Sequence, residues 1–246
     1  MPAPTIIFLT VVFLAAALLY SAVGQAGASG YLAVMALFGL APDVMKPTAL
    51  VLNILVATIT TFKFYRAGCF SWSIFWPFAV ASIPFSFIGG AISLPGYLYK
   101  PVVGLILLYV AYRFFRINST HAATEIKLVP LWSGLALGVV IGLLSGLTGT
   151  GGGIFLSPLL LIMGWAETRQ TLGVSAAFIL VNSIAGLLGH LSSVASLPPS
   201  IPIWATAAII GAYIGAEYGS KRLGNITLKR LIAVVLIIAG LKMMFT

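Results

Sequence analysis

Ten residues from Gly146 to Phe155, Gly-Leu-Thr-Gly-Thr-Gly-Gly-Gly-Ile-Phe, place five glycines and two threonines between apolar runs. Each glycine costs roughly 1 kcal/mol relative to alanine inside a helix, so the backbone is expected to open here. An open backbone exposes N–H groups that hydrocarbon cannot satisfy, and membranes tolerate such breaks only where protein or a polar cavity surrounds them. A weaker copy, Gly24-Gln25-Ala26-Gly27-Ala28-Ser29-Gly30, precedes apolar Tyr31-Leu32. Paired glycine interruptions in two halves of one membrane chain point to a transporter's binding site. The residues singled out are Gln25, Gly27, Ser29 and Gly30 in the first break, and Thr148, Gly149, Thr150, Gly151, Gly152 and Gly153 in the second. The competing reading is that these glycines simply let helices pack closely.

Other polar residues lie within apolar runs. They are Thr48, Asn53 and Thr58 in one half and Ser175, Asn182 and Ser183 in the other, with Thr48-Ala49 matching Ser175-Ala176 between the halves. Two roles are open to Asn53 and Asn182, interhelical hydrogen bonding or the lining of a pathway. Lys63 and His190 close the same two runs, with Arg66 one turn after Lys63. A cation at a pathway mouth attracts anions and a histidine carries a proton near neutral pH; a plain interfacial anchor is the alternative for Lys63 and Arg66. Glu217, one of four acids, precedes Lys221-Arg222, so pairing at the interface competes with a coupling role. A chain this poor in acids is not built to carry cations.

Those residues must be positioned by membrane-spanning helices. The chain is 61% hydrophobic and 7% charged, against about 25% charged in a soluble domain. Its net charge of +9 comes from cations scattered between apolar runs, which form no basic face, so nucleic acid is not an expected partner. Two histidines and one cysteine supply too few ligands for a buried metal site, and Cys69 has no second cysteine to bridge. There is no His-Glu-x-x-His, Gly-x-Ser-x-Gly or phosphate-loop motif, so neither an enzyme nor a cofactor is expected. The first apolar run ends in small residues like a signal peptide, but no cation precedes it and it has an internal counterpart at 129–147, so it reads as retained.

Ten apolar segments follow, at about 5–23, 31–41, 47–65, 72–93, 97–115, 129–147, 154–165, 171–193, 200–219 and 228–245. The second and seventh are too short to span a core that needs about 20 residues, and each follows a glycine break. The fold expected is an all-α polytopic membrane protein with two inverted-topology repeats of about five segments each. Residues 1–116 form the first repeat, 117–128 a polar connecting loop and 129–246 the second. If all ten segments cross, ten cations lie on one side against three on the other; if the short segments only dip in, the division is six against seven. The positive-inside rule favours ten crossings, with both termini outside and the central loop cytoplasmic.

The glycine pattern, the two related halves and the chain length resemble the TauE/SafE family of sulfite-exporter-like proteins, also called toluene-sulfonate uptake permeases. The second break carries the family pattern in Gly146, Gly149, Gly151, Gly152 and Gly153; the first retains Gly24, Gly27 and Gly30. The resemblance implies a secondary transporter in the cytoplasmic membrane for small sulfur-containing or organic anions such as sulfite, sulfonates or sulfoacetate. The physics is compatible: helix N-termini present unpaired N–H groups and partial positive charge. Gln25, Ser29, Thr148 and Thr150 would add side-chain donors, and protons are a possible coupling ion. The alternative is a passive anion channel or a structural membrane subunit without coupled transport.

Overall fold

The structure, a computed structural model, describes residues 3–40, 42–92, 108, 112, 127–190, 197–224 and seven positions between 227 and 241. Within these, all regular structure is helical. The elements are α1 (Ala3–Ser21), α2 (Ala28–Leu37), α3 (Pro42–Arg66), α4 (Trp72–Ala91), α5 (Leu131–Thr148), α6 (Gly153–Met163), α7 (Thr168–Gly189) and α8 (Ile201–Lys221). Five are long and apolar enough to cross a membrane: Pro4–Ser21, Val44–Arg66, Trp72–Ala91, Leu131–Thr148 and Thr168–Gly189. The expected segments 97–115 and 228–245 and the connecting loop fall mostly outside the described residues.

Both glycine breaks are real interruptions. α1 ends at Ser21 and α2 starts at Ala28; α5 ends at Thr148 and α6 starts at Gly153. At 10 and 11 residues, α2 and α6 are about 15 and 16 Å long, half the thickness of a bilayer core. One detail differs from the sequence expectation, since Gly146 lies inside α5 and not in the break. Gly134, Gly138, Gly142 and Gly146 form a four-residue ladder along α5, and a Cβ on any of them would run into Pro77, Phe78, Ser82 or Ser86 of α4. Their small size brings α4 and α5 into backbone contact, which lets dispersion and packing hold helices together where lipid removes the hydrophobic drive. Gly211 and Gly215 of α8 do the same against Leu14 and Leu18 of α1, and Gly219 against Ala22 just past it.

Helix pairing follows an exchange of halves. α4 packs on α5 and α8 on α1; α4 packs on α7 and α8 on α3; α2 sits on α3 and α6 on α7; α3 and α7 meet in the middle. Contacts at the helix ends fix the directions. Phe8 near the start of α1 stacks on Phe38 just past α2, with ring centroids 5.5 Å apart. From there α3 runs 25 residues, about 37 Å, to the opposite end of the bundle. There Lys63 pairs with Glu217, Arg169 donates to the carbonyls of Ser220 and Leu223, and Lys127 N–H donates to Gly164 O just past α6. The α1–α2 pair therefore opens towards one end of the bundle and the α5–α6 pair towards the other. Lys63, Arg169 and Lys221 share an end, as the ten-crossing count requires; the six-against-seven division would separate Lys63 from Lys221.

Candidate substrate site at two broken helices

The breaks are shaped by left-handed glycines. Gly24 (φ 67°) and Gly27 (φ 92°) before α2 match Gly149 (φ 70°) and Gly152 (φ 77°) before α6 in conformation and in spacing to the helix that follows. Side-chain-bearing residues rarely tolerate this conformation, which turns the chain sharply back to begin the half-helix. Gly151 (φ 78°) adds a third left-handed residue to the second break. A Cβ on Gly151 would lie 2.7 Å from Ile179 Cγ2, 2.8 Å from Ser183 Oγ and 3.1 Å from Asn53 Nδ2. Close backbone approach is thus required here on two counts.

The two breaks meet. Gln25 Nε2 donates to Gly153 O at 3.1 Å and to Ser157 Oγ at 2.7 Å, and Ser157 Oγ donates to Ser175 Oγ at 2.7 Å. A side chain from the first interruption is thereby tied to the first residue of the helix beyond the second, and through it to α7. Asn53 of α3 donates from Nδ2 to Thr150 O at 3.3 Å and to Ser183 Oγ at 3.4 Å. Ser86 of α4 donates to the Asn182 carbonyl at 2.8 Å, while Asn182 Nδ2 donates to Phe178 O at 2.8 Å. Gln25, Ser29, Thr148 and Thr150 are all buried, and Asn53 and Asn182 are fully so.

The side-chain donors expected to face a ligand are engaged within the protein in this conformation. Thr148 Oγ1 donates to Leu144 O at 2.7 Å and lies 2.8 Å from Thr150 Oγ1; Ser29 donates to Tyr20 OH at 2.9 Å. Threonines and serines in apolar helices turn back onto their own carbonyls when no other acceptor is within reach. What stays unpaired is backbone: the N–H groups of Ala28, Ser29 and Gly30 and of Gly153 and Ile154 have no acceptor among the described residues, as expected for the first turn of a helix without a side-chain cap. Unpaired buried oxygens accompany them, at Asn53 Oδ1, Asn182 Oδ1 and Ser145 Oγ. Buried polar atoms without partners are costly, so this interior is suited to a polar solute or water.

Sequence reasoning missed Lys46, Ser86, Ser145 and Ser157. Lys46 of α3 packs its Cβ and Cγ 3.8 Å from where a Gly149 Cβ would stand, so a cation begins beside the second break. Its isolation on the cation-poor side was the available signal. Of the three pathway or coupling candidates, His190 caps α7, is buried and has no partner at Nε2 among the described residues. Lys63 and Glu217 lie elsewhere, at the cationic end, joined at 2.7 Å, with Lys221 on the other carboxylate oxygen at 2.7 Å. Among the described residues no group of three or more His, Cys, Asp or Glu is placed to hold a metal.

A bundle of apolar helices, interrupted twice where the interruptions touch in a polar interior, defines a polytopic α-helical membrane protein of transporter type. The chain belongs to the sulfite exporter TauE/SafE family, whose profile matches residues 8–243. It is 43% identical over 240 residues to the probable membrane transporter protein y4hK of Sinorhizobium fredii, covering 96% of this chain and 97% of that one. It is 28% identical over 166 residues to a probable membrane transporter of Methanocaldococcus jannaschii, covering 63% and 60% of the two chains. No solved structure matches. The chain is therefore a multi-pass membrane transporter and not an enzyme.

Proposed function

We propose that the chain is a secondary transporter for small sulfur-containing or organic anions, such as sulfite, sulfonates or sulfoacetate, and that the anion is held between the two glycine-rich breaks at mid-membrane. One observation carries this reading: the break before α2 meets the first residue of α6 through the Gln25–Gly153 contact, and the first-turn N–H groups of both half-helices are unpaired among the described residues. Each N-terminus contributes about half a positive charge, and bare amides bind oxyanions without a formal cation. The family description, sulfite exporter, supports an anionic sulfur solute, while the printed names of the relatives support membrane transport without naming a solute.

The opposed directions of the α1–α2 and α5–α6 pairs support an inverted repeat, with residues 1–116 and 129–246 as its halves and 117–128 as the joint. In this reading the cationic end is cytoplasmic by the positive-inside rule, and the observed state is occluded, with Gln25 as the latch between halves. His190 serves proton coupling, while Lys63 and Glu217 link α3 to α8 at the mouth. A passive channel would show uncoupled flux that follows only the anion's own gradient, and a structural subunit would show none.

Ligand stabilisation of the purified protein against sulfite, sulfate, thiosulfate, sulfonates and carboxylates tests the substrate class. An anion at one hundred times its Kd stabilises by about 2.7 kcal/mol. Thr150→Val and Gly151→Leu are expected to abolish that stabilisation; unchanged affinity in both would reject the site. Flux in proteoliposomes with and without a proton gradient separates coupled transport from the passive alternative.

A further inference from the structure

A second feature lies away from the breaks, at the cationic end of α3 and α8. A cleft of about 240 Å³ is lined by Phe62, Lys63, Arg66, Glu217 and Lys221. Three cations against one carboxylate leave the lining at net +2 (3 − 1). Glu217 holds Lys63 and Lys221 at 2.7 Å each, and Lys63 Nζ also stands 3.7 Å above the Tyr213 ring. The carboxylate and the ring fix the position of one ammonium that would otherwise be mobile. Arg66 lies over Phe62, its guanidinium carbon 5.6 Å from the ring centre.

The same two helices present an apolar wall leading away from these charges. On α8 the stripe Ile210, Tyr213, Glu217, Lys221 recurs every three to four residues and passes from apolar to cationic; its Ile210 and Tyr213 are exposed, as are Phe62 and Tyr65 on α3. Aromatic side chains and cations at the end of apolar helices are the composition of the membrane–water interface. We propose that this cleft is a binding site for an anionic phospholipid, with the phosphate among Lys63, Arg66 and Lys221 and an acyl chain along Phe62, Tyr213 and Ile210. A soluble anion would use the charges alone and a neutral lipid only the lipid-facing wall that every spanning helix offers, whereas an anionic phospholipid uses both at once. The arginine supplies a planar fork suited to phosphate oxygens, and the lysines supply compact charge.

The test is native mass spectrometry of the full chain titrated in detergent with phosphatidylglycerol or phosphatidylcholine. Phosphatidylglycerol is expected to be retained about 25-fold better, since the lining carries a net +2 and each net positive charge near an anionic headgroup contributes about fivefold. Arg66→Gln and Lys221→Gln should each lower retention by about fivefold and Arg66→Lys should keep most of it, whereas Arg222→Gln, a nearby cation stacked on Tyr218 outside the cleft, should leave it unchanged. All three side chains end in solvent-facing positions, so the variants are expected to fold normally. Equal retention of the two lipids, or an equal loss in Arg222→Gln, would overturn the proposal by showing no selective site. Displacement of phosphatidylglycerol by free glycerol phosphate at similar concentration would overturn it in favour of a mouth for soluble anions.

Discussion

Replacing Gly151 by alanine should destabilise the protein distinctly more than replacing Gly149, although both glycines carry nearly the same left-handed backbone, φ 78° against 70°. The backbone cost is shared, about 1–2 kcal/mol for a residue with a side chain. The environments differ. A Cβ at Gly149 meets only Lys46 carbons at 3.8 Å or beyond, an ordinary contact, whereas one at Gly151 meets Ile179 at 2.7 Å and Ser183 at 2.8 Å. Forcing an extra methyl into a filled interior costs about 1–3 kcal/mol, so Gly151→Ala should lose about 2–5 kcal/mol in all. The difference between the variants corresponds to a few degrees up to about 10 °C in Tm for a chain of this size. Because the atoms displaced include Asn53 Nδ2 at 3.1 Å, anion-dependent stabilisation should fall with it. Thermal unfolding in detergent followed by tryptophan fluorescence, with and without sulfite, reads both effects. Gly164→Ala, left-handed with open space around it, serves as the backbone-only control. If all three variants melt together, the close approach at Gly151 is not what the break requires and the reasoning fails.

Gln25→Leu removes the link between the breaks at nearly constant volume, taking one donor from the Gly153 carbonyl and one from Ser157 Oγ; a loss of about 1–3 kcal/mol is expected, together with loss of anion stabilisation, and a variant that melts and binds normally would exclude Gln25 as a latch. Lys63→Gln and Glu217→Gln should each lower Tm only slightly, by less than Gly151→Ala, because the pair is partly exposed and screened; a double variant melting much lower than the sum of the singles would contradict that. His190→Gln should preserve folding and flatten the dependence of transport on pH; an unaltered pH profile would remove the proton role.

The breaks, the half-helices and the membrane-spanning runs were legible before any coordinates, because glycine clusters oppose helix and long apolar stretches leave a chain few other options. So was the pairing of Lys63, Arg169 and Lys221 on one side, since insertion charge rules act on the linear sequence. The boundary at Gly146 was misread for a physical reason: a glycine that breaks a helix and one that lets helices touch look alike in sequence, and only the Ser86 backbone lying against it assigns Gly146 to packing.

By itself, then, the sequence indicated which apolar runs become helices and which are broken, both of which depend on local backbone propensity and hydrophobicity, while the class of solute came from the family resemblance. Tertiary structure alone decided that Gln25 reaches Gly153 across 128 positions, that the threonine hydroxyls bond within the protein, and that Lys46 begins beside Gly149. Those facts depend on which helices pack together and how deeply, and packing is a property of pairs of distant residues that no local pattern records.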